Sequence, residues 1–290
     1  MSDPDFARPL SELQVAVVGL GLMGGSLAGA LRSRSRQVIG VARRPESVEF
    51  ACTHGFADRG TTDLEEGVRG ADVVVLATPV RAILRLLDEI GPLLEDGCLL
   101  IDLGSTKSEI LDRMAALPDH VQPLGAHPMC GKEVAGIEAA EVDLYRGQTF
   151  VLAPLARTSR EALSLGRRLV EAVGARPVVL EPRRHDRLVA TISHLPYLLA
   201  CALVGLAEER AAQDPAVWQL AASGFRDTSR LAASDVTMML DILMTNREAV
   251  LDALDGYQGQ LRRLADLIAA GDEVSLRTAL QARRARRAGM

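Results

Sequence analysis

Lysine is almost absent from this chain of 290 residues. Of its 33 basic side chains only Lys107 and Lys132 are lysine, and arginine supplies the rest. Base composition can cause such scarcity, yet both lysines fall inside segments that carry chemistry below. Cysteine is sparse too: Cys52, Cys98, Cys130 and Cys201 lie far apart with no CxxC pair. That excludes a zinc cage and a disulfide framework, so no metal is expected and a reducing cytoplasm is the expected compartment. A positive excess is missing as well, for the net charge is −5 and nucleic acid is not an expected partner. The stretch before Leu13 lacks the charge pattern of a signal peptide. Residues 188–207 lack Asp, Glu, Lys and Arg and are long enough to span a bilayer, but Thr191, Ser193, His194, Pro196 and Tyr197 stand at their middle. A buried helix beside a polar site, not a membrane span, is expected.

What is present reads as two domains of ordinary globular composition, 48% hydrophobic and 24% charged. Apolar runs at 14–18, 38–41, 73–77 and 98–102 have the continuity of parallel strands buried on both faces. Helical spacing fills 23–33, 45–54, 81–94 and 107–117, and further strands are predicted near 122–126, 149–153 and 177–180. After about Pro182 strand signals stop, and helical spacing covers 185–210, 216–222, 237–270 and 273–287. The expected fold is therefore α/β. A Rossmann-type, doubly wound, mainly parallel sheet over 1–182 precedes an all-helical substrate and dimerisation domain over 183–290. There is no internal repeat, and the terminal ARRARR reads as a solvated helix end.

The segment Gly19-Leu20-Gly21-Leu22-Met23-Gly24 follows the first strand and opens a helix, which is the setting that gives GxGxxG its meaning. The first glycine permits a tight turn, the second admits a pyrophosphate to the backbone, and the third lets helix and strand pack. Leu22 and Met23 start the helix whose N–H groups face the phosphate. An NAD site places a carboxylate about twenty residues on, at the ribose. Here the second strand ends Val41-Ala42-Arg43-Arg44, with no acid and two guanidinium groups suited to a 2′-phosphate. NADP is the cofactor expected, the competing reading being that Arg43 and Arg44 merely solvate a loop. Thr78-Pro79, after the strand at 73–77, lies at the carboxyl edge where ligands bind; it reads equally as a plain turn.

Four later segments occur in a fixed order: Asp102-Leu103-Gly104-Ser105-Thr106-Lys107, Gly125-Ala126-His127-Pro128-Met129-Cys130-Gly131, Ser193-His194-Leu195-Pro196, and the run from Gly224 to Ala232 containing Asp227-Thr228-Ser229-Arg230. On a Rossmann half followed by helices, they resemble the prephenate/arogenate dehydrogenases of tyrosine biosynthesis, from about Val15 to Leu280. The resemblance implies NAD(P)-dependent oxidative decarboxylation of a cyclohexadienol and a homodimer built through the helical domain. It implies that Ser105 and His127 meet the ring hydroxyl, that Arg230 holds a substrate carboxylate, and that His185, Ser193, His194 and Tyr197 belong to the substrate pocket.

The residue types suit that chemistry. A neutral imidazole can take the hydroxyl proton near pH 7 as hydride leaves. The alternative for His127 is a structural histidine, for Ser105 a helix N-cap, and for Arg230 a surface arginine. Asp227 is read as orienting an arginine, and the two lysines as positive potential at the cleft mouth rather than as catalysts. One departure stands out: the family's frequent SHLPH is here SHLPY, with Tyr197 in the last place. That puts strict prephenate preference in doubt and admits arogenate. The chain is also expected to lack the regulatory domain that some relatives append, so any feedback by tyrosine would act at the active site. Competing readings are another two-domain NADP oxidoreductase, of the β-hydroxyacid dehydrogenase or imine reductase type, and a non-catalytic NADP-sensing module. The first commonly uses a catalytic lysine or tyrosine in its helical half; that half has no lysine here, which excludes the lysine version. The second gives no reason to keep Ser105, His127 and Arg230 together.

Overall fold

The computed structural model describes residues 8–132 and 134–289. Its first half forms one eight-stranded sheet in the order β3-β2-β1-β4-β5-β6-β7-β8. The strands are β1 (Gln14–Val18), β2 (Gln37–Val41), β3 (Arg59–Thr61), β4 (Val73–Leu76), β5 (Leu99–Asp102), β6 (Gln122–Pro128), β7 (Thr149–Pro154) and β8 (Arg176–Val179). All neighbours pair parallel except β6 and β7. The helices of this half are α1 (Leu22–Arg32), α2 (Pro45–Thr53), α3 (Leu64–Val68), α4 (Val80–Ile90), α5 (Ser108–Met114) and α6 (Arg160–Ala172).

Successive strand side chains point to opposite faces, and both faces are buried, which is why the strands read as unbroken apolar runs. Val15, Val17, Val73, Val75, Leu99 and Ile101 pack with α1 and α6 on one side. Ala16, Val18, Val74, Leu76 and Leu100 pack with α4 and α5 on the other. The four strands expected first are present, with ends shifted by a residue, and β6 runs two residues past its expected end, so that His127 lies within it. Three elements were not anticipated. β3 is a three-residue edge strand with no apolar run to announce it. α3 and α6 carried their signals in Asp63 and Ser159, whose side chains accept from Glu66 N (3.0 Å) and Ala162 N (3.0 Å) as N-caps.

The second half is helical among the described residues: α7 (Pro182–Val189), a wider π turn (Ala190–His194), α8 (Leu195–Ala211), α9 (Ala216–Leu220), α10 (Ser223–Ser229), α11 (Val236–Thr245), α12 (Arg247–Ala269) and α13 (Glu273–Ala288). α7, the π turn and α8 form a continuous helix, long and apolar enough by length and composition to cross a membrane. The expectation that residues 188–207 would be buried needs correction. Val189, Ala190, His194, Leu195 and Ala200 are buried, whereas Leu188, Ile192 and Leu206 are exposed. The helix has one side against this chain and one side uncovered. The expected single stretch 237–270 is two helices, broken where Asn246 leaves helical geometry to serve the site below. α10 and the tight turn Arg230–Ala233 after it were not foreseen either.

Candidate active site

Between β1 and α1 the glycines do separate jobs. Gly19 has φ +107°, and a Cβ there would come within 2.7 Å of Thr78 Cγ2. A Cβ on Gly24 would overlap the Gly19 carbonyl oxygen, so this glycine lets α1 pack on the turn. Gly21, the N-cap of α1, differs: a Cβ would meet nothing within 4 Å. No protein atom needs that glycine; a ligand approaching the helix N-terminus would. Leu22 is buried and Met23 half-buried at the helix start, with Tyr145 Oη donating to the Met23 carbonyl (2.6 Å). Nearby, Thr78 Oγ1 is buried without a hydrogen-bond partner among the described residues, and Pro79 caps α4. Open space before a helix terminus and an orphan hydroxyl beside it fit a dinucleotide. Arg43 and Arg44 are exposed between β2 and α2, and neither side chain has a hydrogen bond or ion pair among the described residues.

The carboxyl ends of β5 and β6 build the other wall. Asp102 ends β5 fully buried, accepting from Gly104 N (2.8 Å) and Ala126 N (3.3 Å) and paired with the Lys107 ammonium. Lys107 also donates to the Ala126 carbonyl (2.7 Å). Burial pushes the Asp102 carboxyl up and the Lys107 ammonium down, and their mutual attraction opposes both shifts. The expectation that Lys107 lies at a cleft mouth is therefore wrong. It is a fully buried strut that ties the β5 loop to β6 one residue before His127. Lys132, by contrast, is partly exposed and pairs with Glu141.

His127 is half-buried, and its Nδ1 lies 2.9 Å from His185 Nε2 on α7. His185 Nδ1 in turn lies 2.8 Å from Asp186 Oδ1. The Asp186 carboxylate accepts from Lys107 N (2.8 Å) and Ser108 N (2.8 Å), so it caps α5 from the helical half. Burial alone would push Asp186 up; hydrogen bonds from His185, Ser108 and Lys107 outweigh it and hold the carboxyl below its usual range. The cap reading of Ser105 is corrected by the same contacts: α5 starts at Ser108, and its first N–H groups go to Asp186. Ser105 is half-buried in the loop between them. His194 is buried on the π turn, its Nδ1 3.2 Å from Asn246 Nδ2, which also donates to the Asp186 carbonyl (2.8 Å). Desolvation holds His127 well below the usual imidazole range, and the nearby Lys107 ammonium and the neighbouring His185 and His194 rings further disfavour its charged form. It lowers His194 to about 4, with Asp186 opposing and His185 assisting. Both imidazoles are neutral at pH 7.

Of the residues expected at the substrate, His127, His185 and His194 are thus joined in one polar cluster through Asp186 and Asn246. Tyr197 is half-buried one turn along α8. Arg230 is exposed on the turn that packs against α8, Asp227 is exposed on α10, and Ser193 faces outward on the π turn. The sequence reading missed Asp186 and Asn246. Asp186 adjoins His185 in sequence and was within view; Asn246 carried no local signal, because its partners are 52 and 60 residues away.

Comparison with known proteins bears on this arrangement. Residues 27–179 match the family model described as prephenate dehydrogenase, nucleotide-binding domain, and residues 181–282 match prephenate dehydrogenase, dimerization domain. The prephenate dehydrogenase of Bacillus subtilis is 32% identical over 266 residues, 90% of this chain and 72% of that protein. A crystal structure of prephenate dehydrogenase from A. aeolicus, in complex with hydroxyphenyl propionate and NAD+, superposes with TM-score 0.90 at 31% identity, covering 97% of this chain and 99% of that one. The Synechocystis arogenate dehydrogenase structure gives TM-score 0.86 at 33% identity, over 96% and 99% of the two chains. With both halves matched in order and a titratable cluster formed where they meet, this chain belongs to the prephenate dehydrogenase family.

Proposed function

We propose that the chain is an oxidoreductase that oxidatively decarboxylates prephenate, arogenate or both, to 4-hydroxyphenylpyruvate or tyrosine, using a pyridine nucleotide. The observation that carries this reading is the placement of a neutral imidazole, His127, at the carboxyl end of β6, on the edge of the sheet that also bears the dinucleotide cradle. The nicotinamide, when bound, supplies the hydride acceptor. His127 takes the proton of the ring C4 hydroxyl as hydride leaves that carbon, and Ser105 steadies the same hydroxyl. Loss of the ring carboxylate as CO2 then makes the ring aromatic, and that gain drives the step without a further base. The remaining work is orientation and electrostatics. Ser193, His194, Tyr197 and Arg230 are assigned to the substrate, Arg230 to a carboxylate, and His185 to the same pocket from behind His127, with both ring nitrogens engaged by protein groups. Gly19, Gly21, Leu22, Met23, Gly24, Thr78 and Pro79 are assigned to the cofactor. The working division falls after Pro182, the first residue of α7.

For the cofactor we favour NADP. Supporting this are the exposed Arg43 and Arg44, without protein partners among the described residues, and Ala42 where an NAD site would set a carboxylate. Replacing both arginines by alanine should raise the Michaelis constant for NADP far more than that for NAD; equal effects would refute the preference. The activity itself is tested by following reduced cofactor with prephenate and arogenate, each with NAD and NADP. Turnover with neither substrate would sink the assignment. Tyr197, in place of the frequent family histidine, supports including arogenate in that comparison.

A further inference from the structure

The hydrogen bonds that converge on Asp186 leave little freedom in where the protons of the site reside. An ionised carboxylate only accepts, so the 2.8 Å contact between Asp186 Oδ1 and His185 Nδ1 is donated by the imidazole. A neutral His185 with its proton on Nδ1 has a bare Nε2. The 2.9 Å contact from that nitrogen to His127 Nδ1 must then be donated by His127. With its proton held on Nδ1, a neutral His127 has its lone pair on Nε2.

The Asp186 main-chain carbonyl fixes a second branch in the opposite sense. It accepts from Asn246 Nδ2 (2.8 Å), and the second N–H of that amide is directed at His194 Nδ1 (3.2 Å). His194 Nδ1 is therefore an acceptor, and a neutral His194 carries its proton on Nε2.

We infer that Asp186, His185 and Asn246 are positioning residues that hold the two pocket histidines in opposite tautomers, His127 as a base through a bare Nε2 and His194 as a donor through Nε2–H. One device does both jobs, since the carboxylate of Asp186 sets one imidazole and its carbonyl sets the other. The chemical consequence is a division of labour. His127 is prepared to take a proton from the substrate hydroxyl, and His194 to donate a hydrogen bond to a carbonyl or carboxylate oxygen of the substrate. The inference rests on the assignment of His127 as the base, but the tautomers themselves are observable without any substrate.

The test uses the full-length protein labelled with nitrogen-15 histidine, alone and as His185→Phe, His185→Gln and Asn246→Ala. In the unaltered protein near pH 7.5, His127 should show a protonated Nδ1 and a bare Nε2, and His194 the reverse. His185→Phe removes both ring nitrogens, leaves Asp186 free to cap α5, and should release the His127 tautomer. Turnover should fall roughly 10–100-fold, the usual effect of losing a partner that orients a functional imidazole, with KM nearly unchanged. His185→Gln, whose amide can donate to Asp186 and accept from His127, should restore the tautomer and most of the turnover. Asn246→Ala should release His194 and leave His127 as it was. A His127 protonated on Nε2 in the unaltered protein would overturn the inference, as would a His185→Phe protein that loses turnover while His127 keeps its tautomer. The expected tautomers without turnover on either substrate would uphold the inference and overturn the substrate reading alone.

Discussion

At the scale of single residues, His127 and Arg230 should separate in their kinetic effects. His127 is neutral at pH 7 because burial, and after it the neighbouring His185, Lys107 and His194, disfavour its charged form. His127→Asn should lower kcat by ~10²–10⁴, the usual worth of a positioned base, with little change in KM. Near-normal turnover across pH 6–9 would dismiss the assignment. Arg230 is exposed, so the substrate-carboxylate contact proposed for it would be screened by water. Arg230→Ala should raise KM, and by only about 0.2–1 kcal/mol if the pair remains open to water. A dominant loss of kcat would show that it contributes to the transition state instead. His194 offers a stability test with a defined sign. Its folded value of about 4 lies below the ~6.5 of a free imidazole, so the unfolded chain binds the extra proton first. The stability contributed by neutral burial is whole above about pH 6.5 and falls as pH drops towards 4, by on the order of 3 kcal/mol. Thermal unfolding between pH 7 and 4 should show this fall, and His194→Gln should flatten it.

Among the elements, two helices of the sheet half have N-termini served by carboxylates from the helical half. Asp186 on α7 serves α5, and Asp241 on α11 accepts from Arg81 N at the start of α4 (3.2 Å) and lies 3.5 Å from the Arg81 guanidinium. A further bond, between Thr106 and Thr245 hydroxyls (2.8 Å), ties the β5 loop to the end of α11. The helix N-terminus favours negative charge, and a cap borrowed from another domain makes the local helix depend on domain contact. Asp241→Ala should cost about 0.5–2 kcal/mol, the range for a lost N-cap. Because α4 follows Thr78 and Pro79 directly, the same change should raise the cofactor KM. Unchanged stability and cofactor binding together would show that this contact is incidental.

The whole molecule leaves many large apolar side chains exposed on its helical half. Leu206, Leu251, Leu261 and Ile268 on α8 and α12 are exposed in the single chain, as are Val274 and Leu280 on α13. The match of residues 181–282 to the family's dimerization domain supports a homodimer, and exposed apolar side chains of this kind are what an interface covers. Light scattering at micromolar concentration should give twice the chain mass, and the melting temperature should rise with protein concentration, since association stabilises the folded state by mass action. A monomer over that range would contradict the dimer.

The sequence alone determined whatever depends on near neighbours along the chain. Strands buried on both faces had to be continuous apolar runs, the tight turn between β1 and α1 had to carry glycines at 19 and 24, and helical spacing had to replace strand spacing after Pro182. His127 could be found because the motif that carries it, Gly125 to Gly131, is local. Tertiary structure decided what joins distant positions. Lys107, legible as a charge near the site, became a buried strut only because β6 brings the Ala126 carbonyl to it. The loop bearing Ser105 gave its capping role to Asp186, 78 residues from Ser108. Asn246, unremarkable in sequence, breaks a helix to hold His194. Such roles depend on which hydrogen-bonding groups lose water together, and burial is a property of the packed chain. No local pattern of residues records it.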